Sequence, residues 1–274
     1  MIDPMDANEA ERRRWNDEGW TAMWPKRERF TDAVTPLLVD ALALRPGERV
    51  LEVGSGGGKA AQAAARKVGP EGAVVGADIS AALSALATTR ATDGGVHNVT
   101  FHVVDMQTDH VPGAPFDAAM SQFGVMFFSD PVAAFANVRA HLRSGGRLAF
   151  ACWQSVDRNP WFFGLALAGI APPPPPPAPG QSPTGPFTLA DPAHVTGILA
   201  SAGFEDADVR PHRLELELPE DSVVDDAQLR FIGIAPERMD EARAAVDAHM
   251  LQFRLPSGLN RFPLAFQIVT ATNP

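Results

Sequence analysis

Tyrosine is absent from the 274 residues, and cysteine occurs once, at Cys152. A single cysteine excludes an intramolecular disulfide and a zinc site built from several thiolates. Without tyrosine the chain has no Tyr-Lys proton relay, which counts against a nicotinamide oxidoreductase. No HExxH or GxSxG segment is present, so the zinc-protease and serine-hydrolase signatures are missing as well. We expect no bound metal.

Long apolar runs and an excess of positive charge are also lacking. The most apolar stretch, 161–171, has about half the length that a bilayer span needs. Residues 1–15 carry charges where a signal peptide has an apolar core. The net charge of −10 repels phosphate backbones, which argues against nucleic acid as the main partner. These features predict a soluble, cytoplasmic protein. The oligomeric state stays open, with a homodimer as one alternative.

Short apolar strands alternate with helical segments from about residue 45 to residue 153. The predicted strands are 49–53, 73–77, 99–104, 116–120 and 147–152. This alternation is typical of a parallel sheet with helices on both faces. We expect Ser144–Gly146 to cap the helix before the fifth strand. In the N-terminal region, Pro25 is expected to separate two short helices.

The alternation stops after Trp153. Residues 172–177 are six prolines, which predict an extended surface linker. Beyond it we expect a helix at 191–202, a strand at 209–218, a largely helical stretch at 221–253 and a last strand at 261–270. The expected organisation is an N-terminal helical segment covering the cofactor site (1–44), an α/β core (45–153), a proline-rich cap insertion (154–188), completion of the core (189–219), a helical cap (220–258) and a last core strand (259–274).

The strongest local signal is the glycine-rich loop that follows the first strand. Residues 50–58 read VLEVGSGGG. Glycines allow a sharp turn and the close approach of a ligand to the main chain. The next helix points its free N–H groups into the same space. This arrangement predicts a nucleotide-type site at the carboxyl end of the first strand.

Two common phosphate-binding motifs fail at this loop. The dinucleotide motif G-x-G-x-x-G requires glycine at the position of Lys59. A Walker loop requires serine or threonine after Gly-Lys, where this chain has Ala60. Glu52 instead suits a cofactor that carries a cationic amino group.

Four segments in this order resemble the motifs of class I S-adenosylmethionine (SAM)-dependent methyltransferases. They are EVGSGGG at 52–58, GADIS at 76–80, VVDM at 103–106 and FDAAMSQF at 116–123. The resemblance covers about residues 45–153 and is strongest to the ubiquinone/menaquinone C-methyltransferases and related small-molecule enzymes. It implies a Rossmann-like fold with a seven-stranded, mostly parallel sheet, helices on both faces, an antiparallel last strand and a partly helical cap.

The resemblance also implies roles for individual residues. Asp78 would bind the two ribose hydroxyls, and Asp105 would accept from the adenine amine with Met106 against the ring. The residues expected to bind SAM, and its product S-adenosylhomocysteine, are Glu52, Gly54, Ser55, Gly56, Gly58, Asp78, Ile79, Asp105, Met106, Ser121 and Gln122. The spacing agrees, since Asp78 lies about twenty residues past the glycine loop. Taken singly, Asp78 or Asp105 can also be an ordinary helix N-cap.

The substrate side has weaker signals. The aromatic candidates for substrate contacts are Trp20, Trp24, Phe123, Trp153, Trp161 and Phe253. Each can also belong to the protein's own core. His249 is a weak candidate for a catalytic base, which is needed only when the acceptor must lose a proton.

These observations predict a SAM-dependent methyltransferase that acts on a small apolar or aromatic metabolite. A non-catalytic SAM-binding regulatory module is the alternative, and a nicotinamide-dependent oxidoreductase is a more distant one.

Overall fold

Seven strands form one sheet in the computed structural model, which describes residues 8–173, 177, 181–219 and 226–274. The strand order is β3-β2-β1-β4-β5-β7-β6. The strands are β1 Arg49–Val53, β2 Ala73–Asp78, β3 Val99–Val103, β4 Phe116–Gln122, β5 Leu142–Trp153, β6 Glu205–Pro219 and β7 Leu259–Thr272.

The first five strands are parallel, and β7 runs antiparallel to both of its neighbours. Strands β2 and β3 lie on one side of β1. After β3 the chain crosses to the other side of β1, where β4 and β5 lie. Ligands of open α/β sheets bind at such a switch point, outside the carboxyl ends of the strands. The predicted seven-stranded, mostly parallel fold with a reversed last strand is confirmed.

Helices cover both faces of the sheet. They are α1 Glu9–Trp15, α2 Glu18–Arg29, α3 Thr35–Ala41, α4 Lys59–Val68, α5 Ala81–Asp93, α6 Pro131–Ala140, α7 Pro192–Ser201, α8 Asp226–Phe231 and α9 Met239–Met250. One core contains the alanine face of α4 with Leu38 and Met120, and another contains Phe135, Phe150 and Phe266. A third apolar cluster, which we call the cap cluster, joins segments around Phe163, α8 and α9 to Leu218 and Phe262.

Two local predictions were wrong. Helix α2 continues through Pro25, and the break lies earlier, where Asp17 caps α2 by accepting from the Trp20 N–H. Pro25 is exposed, so the carbonyl that it deprives of a partner can face water. Residues Ser144–Gly146 belong to β5 rather than to a helix cap, because Gly145 N–H and Gly146 C=O pair with Asn273 of the last strand's end.

The helix predicted at 191–202 is α7, with Asp191 accepting from the Ala193 N–H at its start. Part of the predicted proline-rich linker, and residues 220–225 around the start of the predicted helical stretch, lie outside the described residues. Among the described residues, no helix is both long and apolar enough to cross a bilayer.

Candidate cofactor and substrate site

The glycine loop after β1 is shaped by close backbone approaches. Gly54 has φ +68°, and a Cβ at this position would lie 2.9 Å from the Cα of Gly124, in the loop after β4. Gly58 has φ +78°, and a Cβ there would meet Phe101 and Ala87. The loop therefore needs glycine for both conformation and space.

Asp78 ends β2 beside this loop. Its carboxylate accepts from the Gly56 N–H at 2.7 Å and from the Ser80 N–H at 2.8 Å. Burial raises the pKa of Asp78, and these two N–H groups partly offset the rise. Each oxygen accepts one bond and keeps a second lone pair, so the carboxylate can still accept two hydroxyl protons. Asp78 thus connects the first two motifs physically.

Glu52 and Ser55 lie on either side of Gly54 with unused polar atoms. Glu52 Oε2 and Ser55 Oγ are buried, and neither finds a hydrogen-bond partner among the described residues. Burial raises the pKa of Glu52 well above its usual value, the Ala61 N–H lowers it, and the charges of Asp78 and Glu28 raise it further. Such orphaned groups at a strand end have the chemistry of a site for a cationic, hydrogen-bonding ligand.

Asp105 follows β3 at the same edge of the sheet. Its Oδ1 accepts from the Gln107 N–H, and its Oδ2 accepts from the Asn8 side-chain amide at 2.7 Å. Ser129 in turn donates to Asn8. The amide NH₂ of Asn8 therefore stands where the resemblance expects an adenine amine to donate.

The N-terminal helices cover this edge of the sheet. Trp24 lies against Gly56 and Gly57, and its Nε1 donates to Glu28 at 2.7 Å. Arg90 of α5 donates to Glu28 at 2.6 Å and to the Gly57 carbonyl at 3.2 Å. Sequence reasoning missed the Glu28–Arg90 pair because its members are 62 residues apart and belong to no motif.

The loop after β4 lies next to an aromatic group. Gln122 accepts from the Thr35 hydroxyl at 2.8 Å and donates to the Thr31 carbonyl at 3.2 Å. Phe123 has φ +63°, an uncommon conformation for a residue with a side chain. Its ring stacks on Trp153 with centroids 4.1 Å apart and planes 14° apart. The strained backbone thus fixes this ring over the end of β5.

The aromatic group extends from Trp153 into the cap. Phe30 lies 4.4 Å from Trp161 and 5.5 Å from Phe262, measured between ring centroids. Trp161 also meets Trp153 edge to face at 5.1 Å. We call this set the aromatic cluster: Phe30, Phe123, Trp153, Trp161, Phe253, Phe262 and Phe266. It joins the end of the cofactor edge to the cap cluster.

Several predicted residues lie elsewhere or are engaged structurally. Trp20 packs edge to face on Trp15, and the Arg27 guanidinium lies over its ring. His249 bonds through Nε2 to the Pro160 carbonyl at 2.7 Å, which fixes the ring against the cap. Burial raises the pKa of the Cys152 thiol to about 12. Within the described ranges, no three His, Cys, Asp or Glu side chains gather as metal ligands.

The structure brings most of the predicted cofactor residues to one edge. The glycine loop follows β1, Asp78 and Ile79 follow β2, Asp105 and Met106 follow β3, and Ser121 and Gln122 end β4. Met106 is buried in the main core, and Ser121 accepts from the Gly124 N–H. These positions are adjacent, although the roles assigned to the individual residues stay predictions.

Comparison with known proteins identifies the type of domain that contains this edge. Residues 50–146 match the family model described as a methyltransferase domain. The core of this chain is a class I methyltransferase domain. SAM is the cofactor of this domain class. The matched range contains the glycine loop, Asp78 and Asp105, so the site lies within the methyltransferase domain.

Two curated methyltransferases are similar in sequence to part of this chain. Aklanonic acid methyltransferase DauC of a Streptomyces species is 40% identical over 113 residues, which cover 41% of this chain and 51% of that protein. Nocamycin O-methyltransferase of Saccharothrix syringae is 29% identical over 69% of this chain and 71% of its own length. The chain spans about half the length of the first of these relatives.

Solved structures share the fold at low identity. A putative methyltransferase of Bacillus halodurans aligns with a TM-score of 0.59 and 18% identity over 88% of this chain and 98% of its own. The [4+2]-cyclase SpnF aligns with a TM-score of 0.52 and 22% identity over 89% of this chain and 81% of its own. A cyclase on this fold shows that the fold alone does not fix the reaction.

Proposed function

We propose that this chain is a SAM-dependent methyltransferase that transfers a methyl group to a small apolar or aromatic metabolite. The observation that carries the proposal is the meeting of Glu52, Asp78 and Asp105, all buried carboxylates, with the glycine loop at one edge of the sheet. The names of the relatives DauC and nocamycin O-methyltransferase support small-molecule methylation.

The residues of this edge fit SAM. Asp78 has lone pairs free for ribose hydroxyls, and Asp105 can exchange the Asn8 amide for the adenine amine. Glu52 would hold the amino group of the methionine portion, aided by the unpaired Ser55 hydroxyl. When bound, SAM supplies a methyl group on a positively charged sulfur, and its transfer to the acceptor leaves S-adenosylhomocysteine.

The chain's own residues would position the methyl acceptor and exclude water from it. Gln122, held by Thr31 and Thr35, ties the N-terminal segment to the end of β4. Phe123 and Trp153 present flat apolar surface beside it, which suits an aromatic acceptor and excludes water. Placing acceptor and donor in line accounts for much of the acceleration such a reaction needs.

Calorimetry on wild type and Asp78→Ala tests the proposal, with SAM and S-adenosylhomocysteine as ligands and NAD and NADP as controls. We expect the two SAM-type ligands to bind wild type. Their affinity should fall about 100-fold in the variant, because two hydrogen bonds to a charged group are lost. Asp157→Ala, at a position outside the cofactor edge, serves as a control that should leave the affinity unchanged. Preference for NAD, or equal SAM affinity in both proteins, would overturn the proposal.

SAM binding without turnover would identify the alternative, a SAM-binding regulatory module. Transfer of labelled methyl from SAM to any of a set of hydroxylated polycyclic aromatics would decide for the enzyme.

A further inference from the structure

Asn260 carries a buried polar atom that lies outside the cofactor edge and lacks a hydrogen-bond partner within the described part of the chain. Asn260, near the start of β7, is 2% exposed, and its Oδ1 finds no hydrogen-bond partner among the described residues. An unsatisfied buried amide group destabilises a protein, and a native one calls for an explanation.

The position of Asn260 in the sheet places it beside the aromatic cluster. Strands β6 and β7 pair without a register shift from Asp208 to Pro219, so alternate residues of β7 share a face. Asn260 is therefore on the same face as Phe262, Leu264 and Phe266, and opposite Leu218 on β6.

That face of β7 leads from the main core to the cap. Phe266 lies 6.4 Å from Phe123, which follows the cofactor edge. Phe262 lies 5.5 Å from Phe30 and 5.3 Å from Phe253. Asn260 is the polar end of this otherwise apolar row, beside Leu218 in the cap cluster.

We propose that Asn260 Oδ1 is a specificity determinant that accepts a hydrogen bond from a hydroxyl or N–H group of the methyl acceptor. The inference rests on the proposed function and deepens it. The acceptor is then an aromatic molecule that carries a hydrogen-bond donor. A site built around a buried acceptor rejects analogues that lack the donor, because they leave that acceptor unpaired.

The stability of the ligand-free protein separates this role from a structural one. Asn260→Leu removes the unpaired acceptor at nearly constant volume, and we expect its melting temperature to rise by about 2 °C. Gln267→Met is the matched control, since Gln267 is on the same strand, is also 2% exposed, and donates to the Leu189 carbonyl at 2.7 Å. Its melting temperature should fall by about 2 °C or more. A fall in Asn260→Leu would show a structural role and overturn the inference.

Specificity is tested with 2-naphthol and 2-methylnaphthalene, which differ by a hydroxyl in place of a methyl group. Their dissociation constants are measured by calorimetry for wild type and Asn260→Leu, with and without saturating S-adenosylhomocysteine. We expect the preference for 2-naphthol to fall about five- to tenfold in the variant. An unchanged preference, or no binding of either probe to wild type, would overturn the inference.

The same titrations keep the two proposals apart. Asn260→Leu should bind S-adenosylhomocysteine as tightly as wild type does, because Asn260 is not at the cofactor edge. If Asn260→Leu keeps the wild-type preference for 2-naphthol while both proteins bind S-adenosylhomocysteine, only the role of Asn260 is refuted. Failure of every variant and of wild type to bind the cofactor refutes the proposed function.

Discussion

The two halves of the molecule use buried polar side chains in opposite ways. Between β1 and β5, Glu52, Asp78 and Asp105 gather at the carboxyl ends of strands, and burial raises the pKa of the first two. In residues 154–274, with the exception of Asn260, buried amides such as Asn159 and Gln267 bond to backbone groups of their surroundings. The first set keeps unused hydrogen-bonding capacity, whereas the second set holds strands and loops together.

The largest expected effect is on the second half. Asn159 is fully buried, donates to the Gln154 and Ala265 carbonyls, and accepts from the Ala265 N–H and Trp161 Nε1. Asn159→Ala should lower the free energy of unfolding by about 4 kcal/mol, because several buried partners lose their bonds together. Urea denaturation measures this. A decrease in the free energy of unfolding of less than about 1 kcal/mol would show that the buried amides of the second half do not hold it together.

The next largest effect is on the backbone of the first half. Gly54→Ala combines a left-handed conformation with a Cβ placed 2.9 Å from Gly124. It should cost about 3 kcal/mol. Gly47→Ala is the control, since Gly47 has φ +85° but nothing within 4 Å of a Cβ, and it should cost only about 1 kcal/mol. Equal losses in urea denaturation would show that the approach to Gly124 is not limiting.

A smaller effect concerns the Asn8 amide at Asp105. If Asn8 competes with the adenine amine, Asn8→Ala should tighten SAM binding about fivefold, the equivalent of one net hydrogen bond of about 1 kcal/mol. Calorimetry measures this, with Asn16→Ala as a control for general loosening of α1. Weaker binding in Asn8→Ala would mean that Asn8 contacts the cofactor instead of competing with it.

The pH dependence of stability gives the subtlest test. A carboxyl whose pKa is raised by folding stabilises the folded state fully below its unfolded pKa, which is 4.5 for Glu52. This stabilisation is lost as pH rises through the folded pKa. Wild type should therefore lose stability from pH 5 to 8 more steeply than Glu52→Gln. Urea denaturation across this range, with the exposed Glu71→Gln as control, measures the difference. Parallel curves for wild type and Glu52→Gln would show that Glu52 is not perturbed.

Local sequence patterns predicted the parallel strands and the carboxyl edge of the sheet, whereas the seven strands with a reversed last strand were predicted from the resemblance to methyltransferases. The glycine loop, Asp78 and Asp105 each follow a strand, and parallel strands deliver their ends to one edge. The positions of these residues could therefore be derived from alternation and spacing alone.

Contacts across long sequence separations could not be predicted. The Asn8–Asp105 and Glu28–Arg90 bonds depend on how α1 and α2 pack over the sheet, which no periodicity encodes. The helix break predicted at Pro25 was wrong because the effect of a proline depends on whether it lies on the exposed face of the helix, which the sequence does not show. Asn260 gave no signal, since a single amide in a strand becomes notable only when its neighbours are known.

The buried thiol of Cys152 makes the molecule convenient for site-directed labelling. Burial encloses the sulfur of Cys152 and raises its pKa to about 12, so we expect Cys152 to stay a thiol and to resist alkylating reagents at neutral pH. A cysteine introduced at exposed Ala10 of α1 or Ala22 of α2 is then the one reactive sulfur on the protein. A spin label or dye at either position can report whether the N-terminal helices keep their place over the strand ends when a ligand binds.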